Sequence, residues 1–161
     1  MRRLTGSGNY FEDFAPGQRI RHGQGRTVGS EHAVFTLQWM NGVQLHFNAD
    51  YCATDPLIKE RFGGRIVVYG GYVLALVRGL ASQDTSENAL SEPGFANGRH
   101  LKPVYEGDTL YAESEVLEVS PGADTHGGLV KFKLRGLNQR GEVVLEIERD
   151  VVVKRRPEVG P

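Results

Sequence analysis

The chain has 161 residues, with Lys+Arg 19 against Asp+Glu 20 and a formal net charge of -1. That is one domain's worth of protein, long enough to bury a core without metals or disulfides, and the charge balance excludes a protein that coats nucleic acid or an anionic membrane. Glycine is in excess at 21 residues, where about 7% is ordinary usage; with 39% hydrophobic residues, disorder does not account for it, so the glycines mark turns and a site.

The opening Met1-Arg2-Arg3-Leu4 carries charge with no apolar run behind it, so no signal peptide is expected. Residues 19 to 26 read as one strand. Ser30 is placed as an N-cap, with Glu31 in the first turn of a helix running towards Met40. Asn48 and Asp55-Pro56 are two further helix starts, predicting short helices around a loop. Val68 to Leu80 is the clearest helix. It is apolar nearly all round, so it is expected to be buried, and Gly79 is placed to help end it. Its longest apolar stretch, Val73 to Val77, is too short to span a bilayer.

Ala81 to Glu92 is polar and reads as a loop, followed by a short strand between Phe95 and Lys102. Pro103 and the turn Glu106-Gly107-Asp108 lead into a strand in which Leu110, Ala112, Ser114 and Val116 share one face. Ser120-Pro121-Gly122 ends it and a Gly127-Gly128 turn opens the next, where Val130, Phe132 and Leu134 alternate with Lys131, Lys133 and Arg135. A tight connection at Asn138-Gln139-Arg140-Gly141 leads to Leu145, Ile147, Val151 and Val153 on one face of the last strand. The terminal Lys154-Arg155-Arg156 reads as a solvated tail. The fold class is therefore α+β: one domain, residues 1–161 with a core over about 8–155, in which an antiparallel meander wraps a central buried helix. A lipocalin-type barrel would lack the mid-chain apolar helix.

Three features within about thirty residues could carry chemistry. Asn41-Gly42-Val43-Gln44-Leu45-His46 places an amide and a histidine with four residues between them. Phe62-Gly63-Gly64-Arg65 follows, and Tyr69-Gly70-Gly71 opens the buried helix. Histidine transfers protons near neutral pH, an amide orients water, and bare N–H groups at a helix start suit a developing oxyanion. The set fits acid–base chemistry beside a carbonyl. A packed structural histidine and a glycine pair chosen for close approach fit the same residues. His22, His32, His100 and His126 have no partner at informative spacing and read as surface or structural. Cys52, the one cysteine, excludes an internal disulfide and a Cys-based zinc site and suits a reducing compartment.

The order of these features resembles the MaoC-like dehydratases, hot-dog domains that include (R)-specific enoyl-CoA hydratases. The resemblance is carried by Asn41, His46, Asn48, Tyr51 with Ala53, Phe62-Gly63, Tyr69-Gly70, the stretch Lys102-Pro103-Val104-Tyr105-Glu106-Gly107-Asp108, and the last hairpin at Asn138 to Val144. Gly8 to Gln18, with Gly25-Arg26-Thr27-Val28, is similar to the branch of mesaconyl-CoA hydratases (β-methylmalyl-CoA dehydratases).

The resemblance implies a hot-dog fold and reversible addition of water to the α,β-double bond of a short, branched or dicarboxylic enoyl-CoA. His46 would be the acid/base and Asn41 would position water; Asn41 stands where the family carries an Asp, and Tyr69 where it carries a His. Gly70 and Gly71 would form the oxyanion site beside Tyr69, Phe62, Gly63 and Arg65, and Phe95, Ala96 and Asn97 would line the pantetheine tunnel. Asp50 is a further acid within reach of His46, and Arg26, Arg65 or Arg99 would pair with an acyl carboxylate. The implied partners are an acyl-CoA thioester and a second copy of the chain, in a cytoplasmic homodimer or higher oligomer, without nucleic acid, membrane, metal or cofactor beyond the CoA of the substrate. A non-catalytic acyl-CoA-binding subunit and a hot-dog thioesterase remain as alternatives.

Overall fold

The computed structural model describes residues 9–122 and 125–157; the expectation for the opening residues of the chain, and the two extremities of the predicted domain, lie outside them. Strands β1 (Arg19–Arg21) and β2 (Arg26–Thr27) precede helix α1 (Glu31–Gln38), and short helices α2 (Ala49–Thr54) and α3 (Pro56–Phe62) follow. Helix α4 (Gly70–Thr85) leads to strands β3 (Ala89–His100), β4 (Thr109–Ser120), β5 (Gly127–Leu137) and β6 (Val143–Lys154). The sheet runs β1-β4-β5-β6-β3, all antiparallel, with β2 pairing the start of β4.

The alternation read from the sequence fixes the register. Leu110, Ala112, Ser114 and Val116 of β4 face the same interior as Val130, Phe132 and Leu134 of β5 and Leu145, Ile147, Val151 and Val153 of β6. The opposite face is wet and charged: Arg135 bonds Glu146 at 3.0 Å and Glu115 at 3.3 Å, and Lys133 reaches Glu146 at 3.2 Å. Such half-buried cross-strand pairs each contribute fractions of a kcal/mol, about 0.2–1. Gly141 ends the β5–β6 hairpin turn at φ 76, a left-handed backbone that a Cβ disfavours.

Helix α4 lies on this sheet through Tyr72, Val73, Val77 and Ala81. Burying each valine stabilises the fold by about 1.5–3 kcal/mol. The approach is close at Gly136 of β5, where a Cβ would stand 2.6 Å from Val77 Cγ2. Tyr72 also donates to Glu31 Oε1 at 2.9 Å, tying α1 to α4; burial and that carboxylate push the phenol up to about 12. The helix is covered on most sides but not all, since Ala75 and Gly79 remain exposed. A second core forms where Phe11, Phe14 and Ile20 pack on Val116, Val130, Phe132, Val151 and Val153.

Several expectations are corrected. Residues 19 to 26 form two short strands, not one, because the chain bends between Arg21 and Arg26. The helix runs past Gly79 to Thr85 and β3 begins at Ala89, so Ala81 to Glu92 is not a loop. What extends the helix is buried polar pairing. His22 Nδ1 donates to Asp84 at 2.6 Å, and Arg149 of β6, 2% exposed, binds Thr85 Oγ1 at 3.3 Å, Ser86 Oγ at 2.9 Å and the Glu92 carboxylate. Gly127 and Gly128 lie inside β5, where the lack of a Cβ at Gly128 admits the Phe11 ring. The basic end of the chain is no free tail: Arg156 binds Asp13 at 2.7 Å and Arg155 reaches Glu12 at 3.6 Å.

Candidate active site

Two capped helices and the start of a third assemble the cavity. Asn48 Oδ1 accepts from Tyr51 N–H at 3.0 Å and Asp55 Oδ1 from Ile58 N–H at 3.0 Å, starting α2 and α3. Gly63 at φ 65 closes α3 in the left-handed conformation. That stop sends the chain back beneath α4, so that Val67 N–H donates to Leu45 O at 3.2 Å and Val68 N–H to Val104 O at 2.8 Å. A cavity of about 530 Å³ opens there. His46, Arg61 and Phe62 form one wall, Val67, Val68, Gly70 and Val73 a second, and His100 through Val104 a third.

His46 is fixed in orientation. Its Nδ1 lies 2.8 Å from Val67 O; a carbonyl only accepts, so Nδ1 carries a proton, and in the neutral ring Nε2 keeps its lone pair. Tyr69 packs on the imidazole at 5.5 Å between ring centroids. At the helix start the first intrahelical bond is Val73 N–H to Tyr69 O at 3.1 Å. The N–H groups of Gly70 and Gly71 therefore precede the helical ladder and sit at the positive end of its dipole.

Of the residues read from the sequence, His46, Phe62 and Gly70 line this cavity, with Tyr69 tilted against His46 and Gly71 against the Tyr69 ring. Asn41 is not among the lining residues; its Oδ1 accepts from Val43 N–H at 2.9 Å, a local turn outside the cavity. Asp50 is exposed on α2. Gly63 serves the α3 stop, and Arg65 stacks over the Tyr105 ring at 3.6 Å. Phe95, Ala96 and Asn97 sit in the exposed edge strand β3, where a bulge gives Asn97 a φ of 54, and they do not line the cavity. Arg26 pairs with Glu31 at 3.4 Å, and neither Arg26 nor Arg99 lines the cavity.

Three lining residues have no site role assigned from the sequence, where His100 reads as surface or structural. Arg61 lies in the last turn of α3, immediately before Phe62, and has no ion pair among the described residues. Lys102 binds Glu142 at 2.6 Å, and bonds from Asn138, Lys102 and Arg140 hold that carboxyl down at about 2. His100 ends β3 against Gly70, and loss of solvent there lowers its pKa. The signal for His100 and Lys102 was their place directly before Pro103-Val104, the segment that docks beside Val68.

A Ser–His–Asp chain also exists: Ser114 Oγ lies 2.9 Å from His22 Nε2, opposite the Asp84 contact. Ser114 is 3% exposed inside β4, and the cavity of about 160 Å³ that Asp84 borders includes neither His22 nor Ser114. The chain is a structural clamp. Among the described residues, no group of three or more His, Cys, Asp or Glu has metal-holding geometry, and no helix is long and apolar enough to cross a membrane.

The family profile of mesaconyl-CoA hydratase matches residues 3–159. A mesaconyl-CoA hydratase of Cereibacter sphaeroides is 35% identical over 158 residues, covering 98% of this chain and 44% of that protein. The chain thus spans less than half the length of this relative. The MaoC-like dehydratase of Rhodospirillum rubrum superposes with a TM-score of 0.78 at 25% identity, covering 93% of this chain and 99% of that one. A Mycobacterium tuberculosis protein described as having a double hotdog fold superposes with a TM-score of 0.73 at 21% identity, over 96% of this chain and 46% of that one. The hot-dog architecture expected from the sequence is therefore the one observed.

Proposed function

The chain belongs to the mesaconyl-CoA hydratase family, and from that membership and the cavity beneath α4 we propose that it adds water reversibly to the α,β-double bond of a short dicarboxylic enoyl-CoA. The observation that carries the reading is the tethered His46, whose free Nε2 belongs to the same cavity as the start of α4. In hydration, Nε2 takes a proton from water while the water oxygen bonds to the β-carbon. The π electrons move through the α-carbon to the thioester oxygen, which the N–H groups at Gly70 and Gly71 stabilise. The α-carbon then receives the proton held by His46, and dehydration is the reverse. Only proton transfer and charge stabilisation are involved, so the reading invokes no metal or prosthetic group, and CoA enters as part of the substrate.

The acyl carboxylate is assigned to Arg61, the cavity cation without an ion pair among the described residues. Strand β3 is an edge, with Phe95 50% and neighbouring Leu101 51% exposed. A second copy of the chain is proposed to cover it, in a homodimer. The proposed compartment is the cytoplasm, where Cys52 stays a thiol.

Hydration of a panel of enoyl-CoA thioesters, mesaconyl-CoA among them, tests the reading through loss of the conjugated double bond. Turnover that His46→Ala abolishes is expected, with the thioester left intact. Unchanged turnover in His46→Ala overturns the assignment. Release of free thiol would instead make the protein a thioesterase, and binding without reaction would make it a binding module.

A further inference from the structure

His100 is the second imidazole of the cavity, and its freedom differs from that of His46. It is the last residue of β3, and it remains accessible to solvent on its outer side. Its ring lies across the first residue of α4: a Cβ on Gly70 would stand 2.8 Å from His100 Nε2 and 3.0 Å from Cε1. His100 and Gly70, whose N–H precedes the helical ladder, therefore meet on the wall of one cavity. Neither His100 ring nitrogen has a hydrogen-bond partner among the described residues, whereas His46 has its Nδ1 committed to Val67. The other charged groups on the cavity wall are Arg61 and Lys102, the latter held by Glu142.

We propose that His100 is a side-chain hydrogen-bond donor to the thioester carbonyl oxygen, completing with the N–H groups of Gly70 and Gly71 the place where negative charge develops. The proposal rests on the hydratase reading and adds a residue to it. Partial desolvation pushes the His100 pKa below the ordinary histidine value, so near neutral pH the ring is uncharged and carries one N–H. The N–H of a neutral imidazole is only weakly acidic, so it stabilises an oxyanion by hydrogen bonding. No bond to His100 forms or breaks: the proton from water goes to His46 and on to the α-carbon, while the His100 hydrogen bond tightens as charge reaches the oxygen. Glycine at position 70 is then required because any side chain would displace the His100 ring.

Steady-state hydration by wild type, His100→Leu, His100→Gln and His46→Asn, each with its Tm, tests this. His100→Leu is expected to lower kcat by about 100-fold with KM little changed, because the interaction strengthens in the transition state. His100→Gln, whose amide N–H₂ reaches the Nε2 position, is expected to recover about tenfold of that loss. Wild-type kcat in His100→Leu overturns the proposal, and so does a His100→Gln variant as slow as His100→Leu. His46→Asn separates the two readings. If it is inactive while His100→Leu is fully active, the donor assignment alone fails. If it retains wild-type turnover, or if wild type hydrates none of the thioesters, the hydratase reading fails and the donor role with it.

Discussion

His46 Nδ1 donates to the backbone oxygen of Val67 at 2.8 Å, and that bond separates the structural half of the imidazole from its chemical half. Asparagine places an amide N–H₂ near the Nδ1 position but offers nothing at Nε2. His46→Asn should therefore keep the loop in place, with a Tm close to wild type. Hydration should fall by about 10²–10⁴-fold, the range that general acid–base catalysis supplies. Thermal melts beside enoyl-CoA turnover check this; a variant that loses activity and Tm together would show that the histidine serves the loop rather than the chemistry.

Asn41 bonds Val43 N–H rather than facing the cavity. An aspartate accepts that N–H equally well. Asn41→Asp is therefore expected to change hydration by less than about threefold, since the residue is not among those that line the cavity. A large gain in kcat would show instead that position 41 swings into the cavity when substrate binds.

The parts of the fold legible in the sequence are those governed by local periodicity. The alternation of β4, β5 and β6 put Leu110, Phe132 and Ile147 on one face because a strand turns each side chain over with a period of two. The same rule puts Arg149 in the inward phase of β6 but does not supply the means of its burial, which are Thr85, Ser86 and Glu92. Those partners lie 57 to 64 residues away, and no window along the chain contains them. The end of α4 was misplaced for the same reason, since His22 and Asp84 meet across 62 residues. In the site, His46 and Gly70 were readable as chemistry-bearing residues in a recognisable order. His100 and Arg61 were not, because what gives each a role is the cavity that three separate segments enclose.

Arg61 stands on the cavity wall and is exposed. A charge-assisted hydrogen bond to a carboxylate contributes about 1.5–3 kcal/mol, and solvent screening favours the lower end. Arg61→Met should raise KM for a dicarboxylic enoyl-CoA by about tenfold while leaving a monocarboxylic enoyl-CoA of similar length nearly unchanged. Equal effects on both substrates would mean that Arg61 meets the CoA moiety, and no effect on either would remove it from the site.

His22 links β1 to the end of α4 through Asp84 and to β4 through Ser114. Burial lowers its pKa, and the opposing hydrogen bond and charge of Asp84 do not reverse the shift. The unfolded chain takes up this proton near pH 6.5, whereas the native protein resists it until lower pH. Below about pH 6.5 the unfolded state therefore binds more protons, so this contribution to stability is complete above that pH and is lost as pH falls towards the native value. Carboxylates held low, such as Glu31 and Glu146, lose their contribution only in a more acidic window, below about pH 4.5. His22→Asn keeps a donor for Asp84 and loses the Ser114 bond and the titration. It should be less stable at neutral pH by about 1–3 kcal/mol and show a flatter fall in Tm between about pH 7 and 5. Parallel Tm curves for the two proteins across that interval would assign the acid sensitivity to another group.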